Sequence, residues 1–581
     1  MDFDRAQDKE IVDYVVNNFK RAKTAREPRE ALWLELYQLY NSYTAKEKPD
    51  GSNLFIPYVF SIIETVVPRI MAGLFSARPW LGILPLRSDM VRNAKALENL
   101  LDYQLTQKMG FFSVAASWIK ETCIYGTGIL KVGWEYKEEE VTVTKPLVEI
   151  FGIPLGSQPV KETKVTVDDP YVEHIDLWDF FVDPDAKDID SAKYCIHRSY
   201  PTIEELEQKA EDGLYKNIDE VKKAIATSEE QRGRDERLSS IGMQSNPLRR
   251  EDEIVLIEYW EDDRVIGVVN DSILVRNDEN PFYHRKKPFL RLVDIFVPHE
   301  FYGKGEVEIA RDMQYELNSL RNARMDNVNL LINRMWKVLR GADIDFKQLR
   351  SRAGGIIEVD DMNDIEELTF TDIASSSYME DSRIREDMDR AVGVFDYTRG
   401  ETTDRRETAT TAAILSQSAD ERFKLKVRLM EDTGLRRLGQ LLVALNQQFL
   451  TSERAVRILG TEGMEFINVS PQDIIGQYDV MPLGTTIEPV VNKQARLDNL
   501  INMYNLMKDS PYIDHVQLLK RILEGADIKD VENIVIDSQE TFMRKLMGGM
   551  TEQDILGAEG AVSADTVPVN TSGGVMMNER R

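Results

Sequence analysis

The sequence predicts an α+β fold, because helical and β-rich stretches follow one another in blocks. The stretch from Gly305 to about Val338 contains no proline and no internal glycine, and its apolar residues recur at close to helical spacing. Branched and aromatic residues dominate from Ile129 to about Ile196, which is typical of strands. Helical patterns fill the first 110 residues or so, ahead of this β-rich block.

Length and charge limit the kinds of function that need to be considered. A chain of 581 residues is too long for one simple core, so we expect two to four structural units. It carries 73 basic and 100 acidic residues, a net charge of −27. Proteins that grip DNA through its phosphates are normally basic. This chain should therefore repel a duplex from most of its surface, or it is simply an acidic protein with no such partner.

Cysteine usage and hydropathy predict where the chain folds. Only Cys123 and Cys195 are present, which excludes a disulfide framework and favours assembly in a reducing cytoplasm. The opening Met1–Asp4 predicts an acidic helix and no signal peptide. Prolines and charges interrupt the apolar stretch from Leu54 to Phe75, so we expect buried helices there and no membrane span.

The first half of the chain is predicted as helices followed by strands. A turn with proline and glycine, Lys48–Asn53, separates the first helices. Strands are expected on both sides of a Gly/Pro loop from Phe151 to Pro159. A charged helical region (Pro201–Thr227) and an exposed linker (Ser228–Glu251) come next. The predicted strands are Ile129–Tyr136, Glu140–Thr144, Lys161–Val167, Tyr171–Ile175 and then a meander of Glu253–Trp260, Val265–Val269 and Ser272–Arg276.

The second half is built around the long helix that begins at Gly305. At about 1.5 Å per residue the helix would be a rod on the order of 50 Å long. Its polar faces suit packing against identical copies better than burial in a compact core. The rod's polar residues include Asn318, Asn322, Asn327, Asn329, Asn333, Arg311, Arg321, Arg324 and Arg334. The elements predicted after it are strands at Trp336–Leu339, Gly355–Val359 and Glu366–Phe370, helices at Ser375–Val392 and Glu407–Leu450, strands at Arg457–Leu459, Gly463–Asn468 and Tyr478–Pro482, and short helices from Pro489 to Leu546.

The motifs of common enzyme classes are missing from the sequence. There is no Gly-x-x-x-x-Gly-Lys-Ser/Thr loop, no Gly-x-Ser-x-Gly elbow and no His-Glu-x-x-His pair. We therefore predict no catalytic residue, no cofactor and no metal. Two readings remain for the aspartates of one loop: a turn, which we favour, or the metal site of a nuclease. These aspartates are Asp183, Asp185, Asp188 and Asp190.

The long helix and the residues before it also resemble a known family. The run Phe301–Gly305, followed by Gln314–Asn318 and Arg321–Val328, is similar to the stem of tailed-bacteriophage portal proteins, the head-to-tail connectors of podovirus-like phages. Tyr125–Trp134, Gly354–Ile357 and Thr408–Leu415 resemble the same family, and the likeness extends over roughly residues 30 to 540.

The resemblance implies a division of the chain into the parts of a portal subunit. It assigns a wing to residues 1–300, stem helix 1 to 301–335, a β-rich clip to 336–374, stem helix 2 to 375–393, a tunnel loop with a long helix and wing strands to 394–488, a short helical crown to 489–548 and a disordered tail to 549–581.

The resemblance also implies a function without catalysis. Twelve copies would form a ring at one capsid vertex of the virion, assembled in the host cytoplasm. Double-stranded DNA would be packaged and ejected through the ring. The implied partners are other copies of the chain, the terminase large subunit, head-tail adaptor or tail proteins, and major capsid and scaffolding proteins, with no membrane. A different neck or tail adaptor and a metal-dependent nuclease are the alternatives.

Three groups of site residues follow from the resemblance. A channel-facing tunnel loop would use Phe395, Tyr397, Arg399, Glu401, Asp404, Arg405 and Arg406, in which carboxylates weaken each arginine's attraction for phosphate. The clip surface that faces terminase and adaptor would use Lys337, Arg340, Lys347, Arg350, Arg352, Asp360 and Asp361. The stem would use Arg311, Arg321, Asn322, Arg324 and Asn327. An ordinary charged loop and a solvated hairpin are the alternatives for the first two groups.

Overall fold

The computed structural model describes residues 2–44, 51–150, 153–223, 233–243, 254–333, 335–341, 344–347, 349, 356–359, 361, 363–369, 376–394, 421–460, 463–484, 500–504, 519–520 and 522–523. The chain forms two units, one of residues 1–458 and 466–487, the other of 459–465 and 488–581. Most described residues belong to the first unit. In the second, the described part of the predicted crown is helical at 500–504.

The N-terminal block consists of four helices and one short strand. They are α1 (Asp2–Tyr40), α2 (Tyr58–Phe75), β1 (Leu81–Pro85), α3 (Val91–Tyr103) and α4 (Phe111–Tyr125). Within the described part of the chain, α2 alone is long and apolar enough to cross a membrane. Its residues Ile63, Val66 and Ile70 have no exposed surface, however, because they lie in the main core of the first unit. Burial thus accounts for the apolar composition of α2.

A long two-stranded ribbon follows α4. Strand β2 (Thr127–Ile150) pairs antiparallel with β3 (Ile153–Ile175), and the start of β2 also pairs with β9 (Phe289–Val293). The three-stranded sheet has the order β3-β2-β9. The predicted loop Phe151–Pro159 is wrong over 153–159, where the backbone is already strand. Charged residues at exposed strand positions do not interrupt a ribbon, so the two predicted strands on each side are one continuous strand.

A five-stranded antiparallel sheet has the order β4-β5-β6-β7-β8. Its strands are β4 (Phe180–Val182), β5 (Cys195–Ser199), β6 (Leu256–Trp260), β7 (Arg264–Val269) and β8 (Ile273–Glu279). The last three confirm the predicted meander. Helix α1 covers this sheet by packing Val15 and Phe19 against Phe181 and Ile196. The rings of Phe19 and Phe181 meet edge to face at 4.7 Å.

Short helices connect β5 and β6 of the five-stranded sheet. The predicted helical region contains α5 (Ile203–Glu211) and α6 (Ile218–Lys223). The predicted linker is partly wrong, since it contains α7 (Gly233–Ser240). Arg237 of α7 forms an ion pair of 2.5 Å with Asp176, and its guanidinium lies 4.4 Å from the ring centre of Trp178. The side-chain amide of Gln38 in α1 also donates to the carbonyl of Ser240 at 3.1 Å. These contacts with distant residues hold the helix, and its composition alone does not show them.

The central helix α8 (Glu306–Ile332) leads to a hairpin and a second helix. The hairpin pairs β10 (Met335–Val338) with β11 (Ile365–Leu368), and the second helix is α9 (Ser376–Val392). The predicted rod is too long, because α8 ends at Ile332 and Met335–Val338 is a strand. Residues 356–359 also lack the predicted strand structure.

The C-terminal part of the first unit returns to the core. Residues 421–430 are helical and continue through a π-helical turn, Glu431–Leu435, into α10 (Arg436–Phe449). This confirms the predicted long helix from residue 421, while 407–420 lie outside the described residues. The remaining strands are β12 (Arg454–Gly460), β13 (Gly463–Val469) and β14 (Tyr478–Pro482), of which residues 459–465 are counted in the second unit. They lie where strands were predicted, and β14 pairs with β1.

Candidate functional site

The start of α8 is fixed by close packing of glycines. The backbone N–H of Gly303 donates to the hydroxyl of Thr127 at 3.0 Å. A Cβ added to Gly303 would lie 2.3 Å from a methyl of Val293, and one added to Gly305 would lie 2.5 Å from the carbonyl oxygen of Ile124. The structure thus brings together two of the sequence runs that carried the family resemblance, Tyr125–Trp134 and Phe301–Gly305. Glycine is needed at 303 and 305 because the surrounding atoms leave no room for a side chain.

A buried charge cluster lies beside this contact. The ammonium group of Lys426 forms ion pairs with both Asp294 and Glu306, and the side chains of the two acids are 0% and 4% exposed. Burial, with the nearby Glu306 carboxylate, raises the pKa of Asp294 from 3.8 to about 8. The two carboxylates raise the pKa of Lys426 despite its burial, so this lysine keeps its charge. The cluster joins the helix at 421–430 to the first turn of α8.

Replacing Asp294 with Asn is expected to flatten the pH dependence of stability between about pH 4 and pH 8. A carboxyl whose pKa is raised on folding stabilises the fold at low pH, and this stability is lost as the pH rises toward the folded pKa. The loss amounts to at most about 1.4 kcal/mol per pH unit. The variant should therefore gain stability relative to the wild type as the pH rises. Unfolding midpoints at about pH 5 and pH 8 measure this gain, and a difference that does not change with pH would contradict it.

One face of α8 binds an extended segment of the same chain, residues 51–57, which we call the strap. The backbone N–H groups of Ser52, Leu54 and Ile56 donate to Asp326, Asn322 and Asn318 at 2.6, 2.7 and 3.0 Å. The side-chain amide of Asn322 also donates back to the carbonyl of Leu54 at 3.1 Å. Gln314 continues this pattern. Its side-chain oxygen accepts from the backbone N–H of Val59 at 3.1 Å, and its side-chain amide donates to the carbonyl of Ile56 at 2.8 Å.

The regular spacing of these hydrogen bonds follows because the repeat of the extended strap nearly matches the repeat of the helix. Two residues of extended chain rise about 6.6 Å, while four residues of helix rise about 6.0 Å. Polar side chains four apart on α8 therefore meet every second N–H of the strap. This corrects our expectation for Asn318 and Asn322, since their side chains are occupied inside the subunit. The sequence signal was a polar side chain at every fourth position of α8, but only the structure shows that the strap is its partner. These positions are Gln314, Asn318, Asn322 and Asp326.

Replacing Asn322 with Ala is expected to release the middle of the strap, at Leu54, from α8. The variant loses two hydrogen bonds to Leu54, at about 1 kcal/mol each. The amide of Leu54 should then exchange with deuterium roughly tenfold faster or more. Hydrogen exchange resolved to this peptide measures the change. Asn329→Ala, at an exposed position of the same helix, is the matched control and should leave the exchange of Leu54 as in the wild type.

The other predicted stem residues divide into paired and exposed side chains. Arg324 is buried and donates to Asp381 of α9 at 2.7 Å, which ties α8 and α9 together. Arg311 lies 3.5 Å from Glu35 of α1. Arg321 is exposed and Asn327 is half-buried. Two of the predicted stem arginines therefore fix α8 to its own chain.

The C-terminal end of α8 and the hairpin after it expose many large apolar side chains. Ile332 is 64% exposed and Phe346 is 70% exposed. Exposing so much of several large apolar side chains to water is unfavourable. We call this group the clip-end patch, and it comprises Val328, Leu330, Ile332, Met335, Leu339, Phe346, Ile356, Tyr378 and Met379.

The predicted clip residues are only partly described. Lys337 and Glu366 form an exposed ion pair of 3.1 Å between β10 and β11. Arg340 and Lys347 are exposed. The carboxylate of Asp361 accepts from the backbone N–H of Asn363 at 2.9 Å, which is a local turn contact. Arg350, Arg352 and Asp360 lie outside the described residues, as do all seven tunnel-loop residues, Phe395, Tyr397, Arg399, Glu401, Asp404, Arg405 and Arg406.

The aspartates considered for a metal site have other partners. Asp185 accepts from Arg21 at 2.9 Å, and Asp190 forms an ion pair with Arg437. Asp188 accepts from the backbone N–H of Ser191 at 2.6 Å, a turn contact that helps to lower its pKa although burial opposes it. Over the described ranges, no three His, Cys, Asp or Glu side chains are placed to hold a metal ion. The loop is better explained as a turn that binds α1 and α10.

A family model described as phage SU10 portal protein matches residues 11–150 and 151–554. The match covers nearly the whole chain, including α8, the hairpin of β10 and β11, and the residues of the predicted tunnel loop. The chain belongs to the SU10 family of phage portal proteins.

Proposed function

We propose that this portal protein forms a closed ring at one capsid vertex, and that double-stranded DNA is packaged and ejected through the ring. The clip-end patch carries the proposal, because so many large apolar side chains in water need a covering surface. A ring closes through head-to-tail contacts in which one face of each copy meets a different face of the next. The clip-end patch supplies one such face.

Charge supports a channel that lets DNA pass. Every copy adds a net charge of −27, so a ring of twelve repels a duplex over much of its surface. A repelled duplex slides more freely than one held by many phosphate contacts. We propose that the contacts that remain come from Arg399, Arg405 and Arg406 in a tunnel loop, weakened by the carboxylates beside them.

The parts of the subunit follow the division predicted from the sequence. In this proposal α8 and α9 are the stem, and β10 and β11 belong to the clip. The clip would meet the terminase large subunit during packaging and head-tail adaptor or tail proteins afterwards. Exposed charges at Lys337, Arg340 and Lys347 give this hairpin a polar surface for exchangeable partners. Capsid and scaffolding proteins would contact the wing. The chain would have no catalytic role.

Sedimentation of the purified protein, combined with a nuclease assay, tests the proposal against its rivals. A portal should sediment as a ring of about twelve copies and leave DNA intact in the presence of Mg²⁺. A different neck or tail adaptor would lack a ring with this stem and clip. A monomer that degrades DNA with Mg²⁺ would overturn the proposal in favour of a nuclease.

Replacing Arg399, Arg405 and Arg406 together with Ala is expected to reduce the number of DNA-filled heads severalfold while rings still form. The reason is that the loop's arginines touch DNA and contribute little to contacts between copies. Complementation of a portal-deficient phage, followed by counting filled heads, measures the effect. The exposed arginines Arg87, Arg92 and Arg285, replaced together, are the control. Loss of rings in the tunnel-loop variant would instead assign the loop a structural role.

A further inference from the structure

The ribbon of β2 and β3 extends well beyond the body of the subunit. Residues 136–142 of β2 and 163–166 of β3 are exposed at every position, so both faces of the ribbon meet solvent here. Tyr136 is 54% exposed and Val165 is 45% exposed. A two-stranded ribbon with no covered face is at best marginally stable by itself. A further surface or strand is therefore expected to stabilise it.

The outer edge of β2 offers a place for such a strand. The N–H of Val132 donates to the carbonyl of Pro288 at 2.8 Å, the last contact of β2 with the β9 side. Among the described residues, no strand pairs with this edge of β2 after that point. N–H groups alternate sides along a strand, so those of Glu138, Glu140 and Thr142 point toward the open edge. Open edges of this length are templates for pairing with another chain.

Prolines limit the part of the ribbon that can pair. Pro146 on β2, and Pro154 and Pro159 on β3, remove donors from the outer half of the ribbon. Between the body and these prolines, residues 135–145 of β2 and 160–167 of β3 contain none. This proline-free segment has a backbone that can add a strand on either edge.

Charge distinguishes the two edges. Over residues 135–142, β2 carries four glutamates and one lysine, while residues 160–167 of β3 carry two lysines and one glutamate. Within the ribbon, Glu139 is opposite Lys164, and Lys161 reaches Glu140 at 3.0 Å. An acidic edge and a basic edge on one ribbon are complementary between copies, whereas two acidic edges would repel each other.

We propose that the β2 edge of one copy pairs with the β3 edge of a second copy, through residues 136–142 and 161–167. Copies related by a rotation axis have their β2 strands in the same direction, so β2 meets the next β3 antiparallel. Each copy uses both edges, and the contact repeats until the ring closes. The inference rests on the proposed function, since it needs a ring of identical copies.

Two charge-reversed variants test the pairing between copies. One carries Glu139→Lys with Glu140→Lys, and the other carries Lys161→Glu with Lys164→Glu. Each alone places like charges on facing edges, so the ratio of rings to free subunits should fall about tenfold. An equal mixture of the two should restore rings, because an alternating arrangement pairs every lysine edge with a glutamate edge. A defect within each ribbon could not be repaired by mixing.

A proline variant tests the same edge without changing charge. Thr142→Pro removes an outward N–H and should keep the bonds between β2 and β3, so it should reduce ring formation. Thr142→Ala is the matched control and should assemble normally. Failure of the mixture to form rings, or equal assembly of the two Thr142 variants, would overturn the inference while wild-type rings still support the proposed function. A wild type that forms no ring would overturn both.

Discussion

Replacing Lys426 with Met is expected to lower the free energy of unfolding of the subunit by about 3–5 kcal/mol. Met fills a similar volume but leaves Asp294 and Glu306 as two buried acids without their shared cation. Both side chains are almost fully buried, so water cannot replace the lost interaction. The helix at 421–430 would also lose its link to the first turn of α8. Chemical denaturation followed by far-ultraviolet circular dichroism measures the change.

The matched control is Lys424→Met, two residues away on the same helix. Lys424 is half-buried and lines a cavity of about 430 Å³ between α2 and this helix. Its loss should cost less than about 1 kcal/mol, as for most solvent-accessible positions. Equal effects of the two substitutions would contradict the importance that we give to the buried cluster. Adding Asp294→Asn to Lys426→Met should recover part of the loss, because one unpaired carboxyl is removed.

Replacing Gly126 with Ala is expected to destabilise the subunit by about 2–5 kcal/mol. Gly126 ends α4 with φ at +88°, a left-handed conformation that disfavours any side chain. The added Cβ would also lie 2.4 Å from the carbonyl oxygen of Gly303. That oxygen belongs to the backbone and cannot move away without disturbing the start of α8. The midpoint of thermal unfolding, with the yield of folded protein, measures the effect.

Gly213 separates the two causes of this loss. It lies just after α5 with φ at +77°, and an added Cβ would meet no atom within 4 Å. Gly213→Ala should therefore cost only the conformational strain, about 1–2 kcal/mol. The excess in Gly126→Ala measures the close approach of the two backbones. If the two substitutions cost the same, the contact between α4 and the start of α8 is looser than the structure shows.

The sequence predicts those elements whose pattern is local. The meander over 253–276 and the helix near 375–392 have regular periods and clear breaks, and both were predicted within a few residues. The pairing of β1 with β14 could not be predicted, because Leu81 faces Pro482 across some four hundred residues. Helix α7 was missed for a related reason: its stability comes from Asp176 and Trp178, not from its own composition.

The candidate site shows the same division. The glycines at 126, 303 and 305 belong to runs that already suggested a family, but their mutual contact is visible only in three dimensions. The polar stripe of α8 was assigned to neighbouring copies because a sequence does not show which chain supplies the partner. The strap supplies one partner from within the subunit. Lys426 was not singled out, since nothing near it in sequence shows that Asp294 and Glu306 converge on it.

An electron cryo-microscopy map of the purified protein tests the central claim most directly. We expect a closed ring around an open channel, in which each copy covers the clip-end patch of its neighbour. In such a map Ile332 and Phe346 would change from mostly exposed to buried, while the strap would remain bound to α8 of its own chain. Separate subunits, or an assembly that leaves the clip-end patch in water, would contradict the claim.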